Sequence, residues 1–294
     1  MKMKKITLPA LFSTFFAFVS LFAGGALADQ PKPWQMGFQD PASPVMEKLV
    51  NLHDYLLVMC VVVCVFVLLL LTYVCIRFRA SKNPIPSKTT HNALIEVIWT
   101  VIPILILVAI VIPSWKLINY MDKTDKADVT LKAIGYQWYW GYEYMDGPGK
   151  GIHFESLMKL EHPDKGQESL QLQKGEPRNL EVDNQVVLPI ESNIRVLTTA
   201  ADVIHSWSIP AFGVKLDAVP GKVNETWVRI TKVGDYYGQC SQLCGSRHAF
   251  MPIHIHAVSK EDYAKWVEKK DKELNIKPEA VAADGKKTEE NKTK

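Results

Sequence analysis

Hydrophobic and polar positions divide the chain into stretches of different period. Residues 55–76 run for 22 positions without a charge, and residues 97–115 for 19 more. At about 1.5 Å per residue each is long enough to cross a hydrocarbon layer of about 30 Å as a helix. Two spanning helices are expected, at about 55–76 and 95–115. Pro103 should bend the second without ending it, because neighbouring helices can satisfy the freed backbone groups. A core helix of a soluble protein accounts for one such run, but poorly for two joined by a short basic loop.

From residue 128 onward the pattern becomes short runs rich in Val, Ile and Thr, bounded by turn residues: 129–134, 180–182, 186–190, 194–199, 206–209, 226–231 and 253–258. Runs of this kind predict an all-β sandwich or small barrel over 121–270. The stretch 145–177, with Gly147, Gly149, Gly151, Pro163 and Gly166, reads as a long surface excursion with little regular structure. Ser259 followed by Asp262 resembles a capping box and opens a helix through about residue 270. Residues 271–294 are rich in Lys, Glu, Ala and Asn with almost no large apolar group, which predicts a disordered tail.

The ends and the charges give the topology. Residues 1–28 carry Lys2, Lys4 and Lys5, an apolar run at 11–22 and Ala26-Leu27-Ala28, the layout of a cleavable secretory signal. An uncleaved anchor is the alternative. Arg77, Arg79, Lys82 and Lys88 lie between the two apolar runs, with no acid before Glu96. The positive-inside rule places that loop in the cytoplasm and residues 29–54 and everything after about residue 119 outside. Without the three signal lysines the 34 basic residues become 31, equal to the 31 acidic ones. Removing the four loop cations and Glu96 as well leaves 27 basic against 30 acidic residues outside. That balance argues against a nucleic-acid partner and suits a basic one.

The candidate chemistry lies between Cys240 and Met251, which read C-S-Q-L-C-G-S-R-H-A-F-M. Thiolates, a thioether and imidazole together favour copper, while calcium and magnesium want oxygen. His205, at the head of the 206–209 run, can add a second imidazole from a rigid strand, the arrangement of cupredoxin sites. A mononuclear blue-copper site needs only one Cys. The second Cys lets both sulfurs bridge two ions, with His205 and His248 as terminal ligands and Met251 and a backbone carbonyl as weak ones. A plain Cys240–Cys244 disulfide and a zinc site remain as alternatives. Cys60, Cys64 and Cys75 in the first apolar run are expected to be packing residues. His254 and His256 share one strand face and are expected to be packing or surface groups rather than ligands.

These residues carry a family resemblance. The motif C-S-x-x-C-G-x-x-H-x-x-M at 240–251 is joined by Ile95-Glu96-Val97-Ile98-Trp99-Thr100, by the aromatic segment 135–144, by Leu180-Glu181-Val182-Asp183-Asn184 with Val186-Val187-Leu188-Pro189, and by Pro220-Gly221-Lys222-Val223-Asn224. Over residues 45–265 the chain resembles subunit II of the haem–copper cytochrome c oxidases, of bacterial type. The resemblance implies a two-helix transmembrane hairpin carrying a cupredoxin-like domain in the periplasm, with both termini on that side of the inner membrane. It implies a binuclear copper centre, CuA, held by His205, Cys240, the backbone carbonyl of Gln242, Cys244, His248 and Met251. Electrons would come from cytochrome c, enter at Trp138 and pass to haem in subunit I, where oxygen is reduced to water with proton translocation. Glu143, Asp183 and Asp202 match positions that dock cytochrome c, and Glu96 matches the entrance of a proton pathway. The family commonly has glutamate at position 242, whose side chain also reaches a magnesium ion. Gln242 keeps the carbonyl but lacks the charge, which weakens the magnesium link. The implied partners are subunit I, the other oxidase subunits, cytochrome c and membrane lipid. A copper-delivery protein and a nitrous-oxide-reducing enzyme are the competing classes; the latter needs a catalytic propeller for which the chain has no room.

Overall fold

The computed structural model describes residues 30–123 and 126–274. The signal expected at 1–28 and the tail expected beyond 274 lie outside the described residues. Two long helices come first, α1 (Pro44–Arg77) and α2 (Ala93–Asp122). The apolar windows of both are long enough to cross a membrane and are left uncovered by the other described residues.

Both helices outrun the apolar stretches that predict them. Ser43 caps α1, its Oγ accepting from the amide of Met46 at 3.0 Å, with Pro44 at the first helical position. The first turns are held by the β domain: Val45 and Met46 are buried, and the Ser43 hydroxyl donates to the carbonyl of Phe212 at 2.7 Å. Asn92 caps α2 through the amides of Leu94 and Ile95. Its last turns also meet the β domain, where Leu117 is buried and the Trp227 indole donates to the Tyr120 carbonyl. Packing thus carries each helix past its lipid-length core.

The β domain has ten strands among the described residues: β1 (Val129–Tyr136), β2 (Tyr139–Tyr144), β3 (His153–Ser156), β4 (Val186–Pro189), β5 (Ile194–Ala200), β6 (His205–Ile209), β7 (Val214–Ala218), β8 (Asn224–Val228), β9 (Gly234–Gln239) and β10 (Pro252–Val258). They form a five-stranded sheet in the order β3-β2-β1-β5-β8, a three-stranded sheet β4-β10-β9 and the pair β6-β7. β1 runs parallel to β5, and β10 parallel to β4, which are not hairpin connections. β5 alternates buried and half-buried positions, as expected for a strand with one face on a core. β6 is buried at every position, which sets His205 inside the domain. Trp140, Trp207, Phe212 and Ile253 fill the core. α3 (Lys260–Leu274) closes the domain with Tyr263 and Val267, opened by Ser259, whose Oγ accepts from the Asp262 amide.

Several expected boundaries move. Residues 180–182 are not a strand; Val182 makes only an isolated bridge to Met158, and the chain turns there, with the amides of Leu180 and Glu181 both donating to the carbonyl of Pro177. The stretch 145–177 contains β3, because the edge of β2 pairs with residues whose own sequence gives little strand signal. β2, β7 and β9 also lie outside the expected runs. In β9 the partner β10 overrides the poor strand preference of Gly234, Asp235 and Gly238. The last helix continues to Leu274, four residues into the expected tail.

Candidate metal centre

His205 opens β6 with its ring fully buried. Gly135 of β1 makes that burial possible, since a Cβ at this position would stand 2.6 Å from His205 Cδ2. The ring edge meets Trp140 at a centroid distance of 5.9 Å. Its Nε2 lies 2.8 Å from Asp202 Oδ1, and its Nδ1 faces Cys240 Sγ at 4.0 Å. One nitrogen is thus anchored on a carboxylate and the other is turned towards sulfur, as for a ligating imidazole oriented by a carboxylate.

The loop from β9 to β10 brings the remaining donors. Its mouth is drawn together by the amide of Cys240 donating to the carbonyl of Met251, and its start is tied to β6 by the Ser241 amide on the Ser206 carbonyl. Cys240 Sγ lies 3.9 Å from Cys244 Sγ and 3.3 Å from the carbonyl oxygen of Gln242. Cys244 Sγ lies 3.5 Å from His248 Nδ1 and 3.6 Å from Met251 Sδ. The six expected donors form a chain of contacts, His205 to Cys240 to Cys244 to His248, with the Gln242 carbonyl on Cys240 and Met251 on Cys244; His205, Cys240 and Cys244 lie within 4.8 Å of one another. Both cysteines are free thiols, and their separation is far beyond the roughly 2.05 Å of a disulfide.

Electrostatics prepare one sulfur to ionise before the other. Burial works against the Cys240 thiolate, but hydrogen bonds from His205, the backbone at Gln242 and Ser206, and His248 outweigh it and bring its pKa down. Burial and the nearby Cys240 charge push the Cys244 thiol up. Burial opposes the His205 imidazolium, and its bonds to Cys240 and Asp202 overcome this, raising its pKa. A metal ion that takes both thiolates must therefore displace a proton held by the pair.

A second layer of support has no clear mark in the sequence. Gln137 Nε2 and Trp138 Nε1 both donate to the carbonyl of Cys244, at 2.8 and 3.3 Å. The half-buried Trp138 ring covers Gly245, whose φ of 127° and missing side chain let the loop pass beneath it. The Trp140 indole donates to the Met251 carbonyl. The backbone amide of Gln137 donates to Asp202, so one carboxylate ties the β1–β2 turn to His205. The only sequence signal for these contacts is the aromatic run itself.

The expected docking acids are dispersed. Asp202 lies at the β1–β2 turn, with its oxygens occupied by Gln137, Val203 and His205. Asp183 accepts from the amides of Leu157 and Asn184, and burial outweighs those bonds to raise its pKa. Glu143 pairs with Lys132 at the far end of β2. Glu155, not singled out in the sequence, is exposed near the turn and accepts from the Tyr139 hydroxyl. Glu96 sits in the exposed first turn of α2, at the end remote from the β domain. Cys60, Cys64 and Cys75, expected to pack, lie on the face of α1 that no other described residue covers. His254 is buried between Glu181 and Asp235, and His256 reaches the same Asp235.

Comparison with known proteins places the chain in a family. The family model described as cytochrome C oxidase subunit II, periplasmic domain, matches residues 129–258, and the corresponding transmembrane domain matches residues 31–117. A probable cytochrome c oxidase subunit 2 of Rickettsia bellii is 51% identical over 252 residues, covering 86% of this chain and 90% of the relative. Cytochrome c oxidase subunit 2 of Oenothera berteroana is 46% identical, covering 84% and 94%. The crystal structure of the periplasmic domain of subunit II of cytochrome oxidase from Bradyrhizobium japonicum is 50% identical, covers 51% of this chain and 99% of its own, and superposes with a TM-score of 0.45. The chain belongs to the cytochrome c oxidase subunit II family, a copper-associated membrane subunit of an oxidoreductase complex.

Proposed function

We propose that the chain receives electrons from cytochrome c at a binuclear CuA centre and passes them to haem in subunit I of the oxidase. The observation that carries this reading is the pair of sulfurs 3.9 Å apart with an imidazole Nδ1 beyond each. A metal–thiolate bond of about 2.3 Å lets one ion touch both sulfurs at that separation. Sulfur, thioether and imidazole donors suit copper, and Met251 counts against zinc. Bound copper would supply one-electron chemistry.

The chain's own groups do the rest. Cys240 and Cys244 would hold both ions, His205 and His248 one each, and Met251 and the Gln242 carbonyl would complete the set. Asp202 fixes the tautomer and direction of His205, and burial of the sulfurs and of His205 excludes water. Trp138 offers a half-exposed ring joined to the ligand Cys244 by one hydrogen bond, a direct contact for arriving electrons. Gln242 presents a neutral side chain, so magnesium would gain no charge from it. Glu96 stands in the segment matching the proton-pathway entrance, at the helix end opposite the metal loop. The loop's cations orient this end to the cytoplasm and the β domain to the periplasm of a bacterial inner membrane.

The test is the electron paramagnetic resonance spectrum of the copper-loaded full chain. An unpaired electron shared equally over two copper nuclei is expected, and Cys240→Ser or Cys244→Ser should abolish it. A single-copper signal in the unaltered chain would overturn the binuclear reading.

A further inference from the structure

Where the two helices meet the β domain, a cavity of about 460 Å³ lies between them, within the usual range of small-molecule sites. Positions 48, 51, 52 and 55 of α1 and 113, 116, 117 and 120 of α2 line it. Each set has the i, i+3, i+4, i+7 spacing of one helix face. Because the helices are antiparallel, Lys48 and Tyr120 stand at the domain end, and Tyr55 and Pro113 at the end nearer the apolar spans. The cavity is therefore graded, with ammonium groups at the mouth and Leu52, Pro113 and Leu117 forming an apolar floor.

Both lysines are exposed at the edge of the cavity. A lysine near a helix end normally extends outward to water. Lys48 is exposed and lies over the Tyr120 ring at the cavity edge, its Nζ 4.8 Å from the ring centroid. Lys116 lines the same space from α2. Among the described residues neither lysine has a carboxylate within ion-pair distance. Two cations at the edge of a low-dielectric layer call for an anion, and the apolar floor calls for hydrocarbon. A free inorganic anion meets only the first demand, and a neutral lipid only the second. Basic pockets between membrane helices have this character when they hold lipid headgroups.

We propose that this cavity binds one anionic phospholipid from the leaflet on the β-domain side, with its phosphodiester between Lys48 and Lys116 and an acyl chain over Leu52 and Pro113. The site is separate from the metal loop and does not depend on copper.

The experiment is native mass spectrometry of the full chain, in the assembly with which it purifies, after delipidation and titration with phosphatidylglycerol, phosphatidylcholine or inorganic phosphate. One phosphatidylglycerol is expected to be retained in preference to phosphatidylcholine. Lys48→Gln and Lys116→Gln should each weaken retention roughly fivefold, whereas Lys82→Gln and Lys88→Gln, at the other helix ends, should leave it unchanged. Asn51→Trp, at an exposed cavity position, should reduce retention by filling the space without changing charge. Unaltered far-ultraviolet dichroism and copper uptake would show that each variant folds. Equal retention of both lipids, equal retention by the lysine variants, or inorganic phosphate competing as well as the lipid would each overturn the proposal.

Discussion

Gly135 and His205 share a space that admits no further atom: a Cβ on the glycine would come within 2.6 Å of the imidazole. The strand leading into the Trp138 turn and the strand carrying a candidate ligand are thus fitted to each other at a single point. Gly135→Ala must push the ring away from Cys240 or tilt β1. The domain should remain folded, because the surrounding core is unchanged. Copper affinity should fall roughly 10- to 100-fold, the usual loss when the support of a ligand is disturbed. Titration against a competing chelator measures it.

Asp202 has two candidate roles that one variant separates. As the partner of His205 Nε2 it orients a ligand, and as a surface acid it would steer a basic cytochrome. Asp202→Asn keeps an acceptor of the same shape. If orientation dominates, copper affinity falls about 10-fold or more while the salt dependence of cytochrome association is unchanged. A flatter salt dependence with normal copper binding would assign the residue to docking instead.

Trp138→Phe removes the indole donor to Cys244 but keeps a ring over Gly245. Reduction of the copper centre by cytochrome c, followed by stopped flow, should slow by at least tenfold. The resonance spectrum should be nearly unaltered, because the six donors stay in place.

How far the sequence can be read varies by element. The candidate donor cluster is legible because its residues are compressed into twelve positions of one loop, with His205 marked by the strand it opens. The two membrane helices are legible because apolar runs of such length, free of charge, are hard to accommodate anywhere but in lipid. Their true ends are not, since Ser43 and Tyr120 are held by contacts with Phe212 and Trp227, remote in sequence. β3 and β9 escape for the same reason: their pairing comes from partners, and Gly, Asp and His predict little by themselves. The support from Gly135, Gln137 and Trp140 is marked in the sequence only by the aromatic run that holds them, because it depends on how strands cross.

The buried imidazole of His254 makes stability depend on pH. Burial opposes its charge, but Asp235 and Glu181 on either side overcome this and raise its pKa above the ordinary 6.5. Its stabilisation is therefore complete below about 6.5 and is lost as pH rises through the higher folded value. The His254 and His256 bonds hold Asp235 down, while at Glu181 burial is outweighed by His254, lowering it below 4.5. Their contributions are lost in the opposite direction, as acid titrates each through its lowered folded value. Tyr237, whose hydroxyl donates to Glu181, is pushed up by burial and stays neutral throughout. The melting temperature of the metal-free protein should be highest between about pH 4.5 and 6.5 and should decline above. His254→Gln should lower the maximum and flatten the alkaline limb; an unchanged limb would show that the network does not set the pH dependence.

The hydroxyl of Ser43 accepts from the first turn of α1 and donates to Phe212 of the β domain. Helix initiation and domain attachment therefore draw on the same atom, and no flexible tether intervenes between anchor and metal loop at this junction. The height of the loop above the bilayer is then a built-in dimension, like the length of a strut. An electron leaving the loop for a carrier within the membrane would cross a gap set during folding and need not wait for the domain to swing into range.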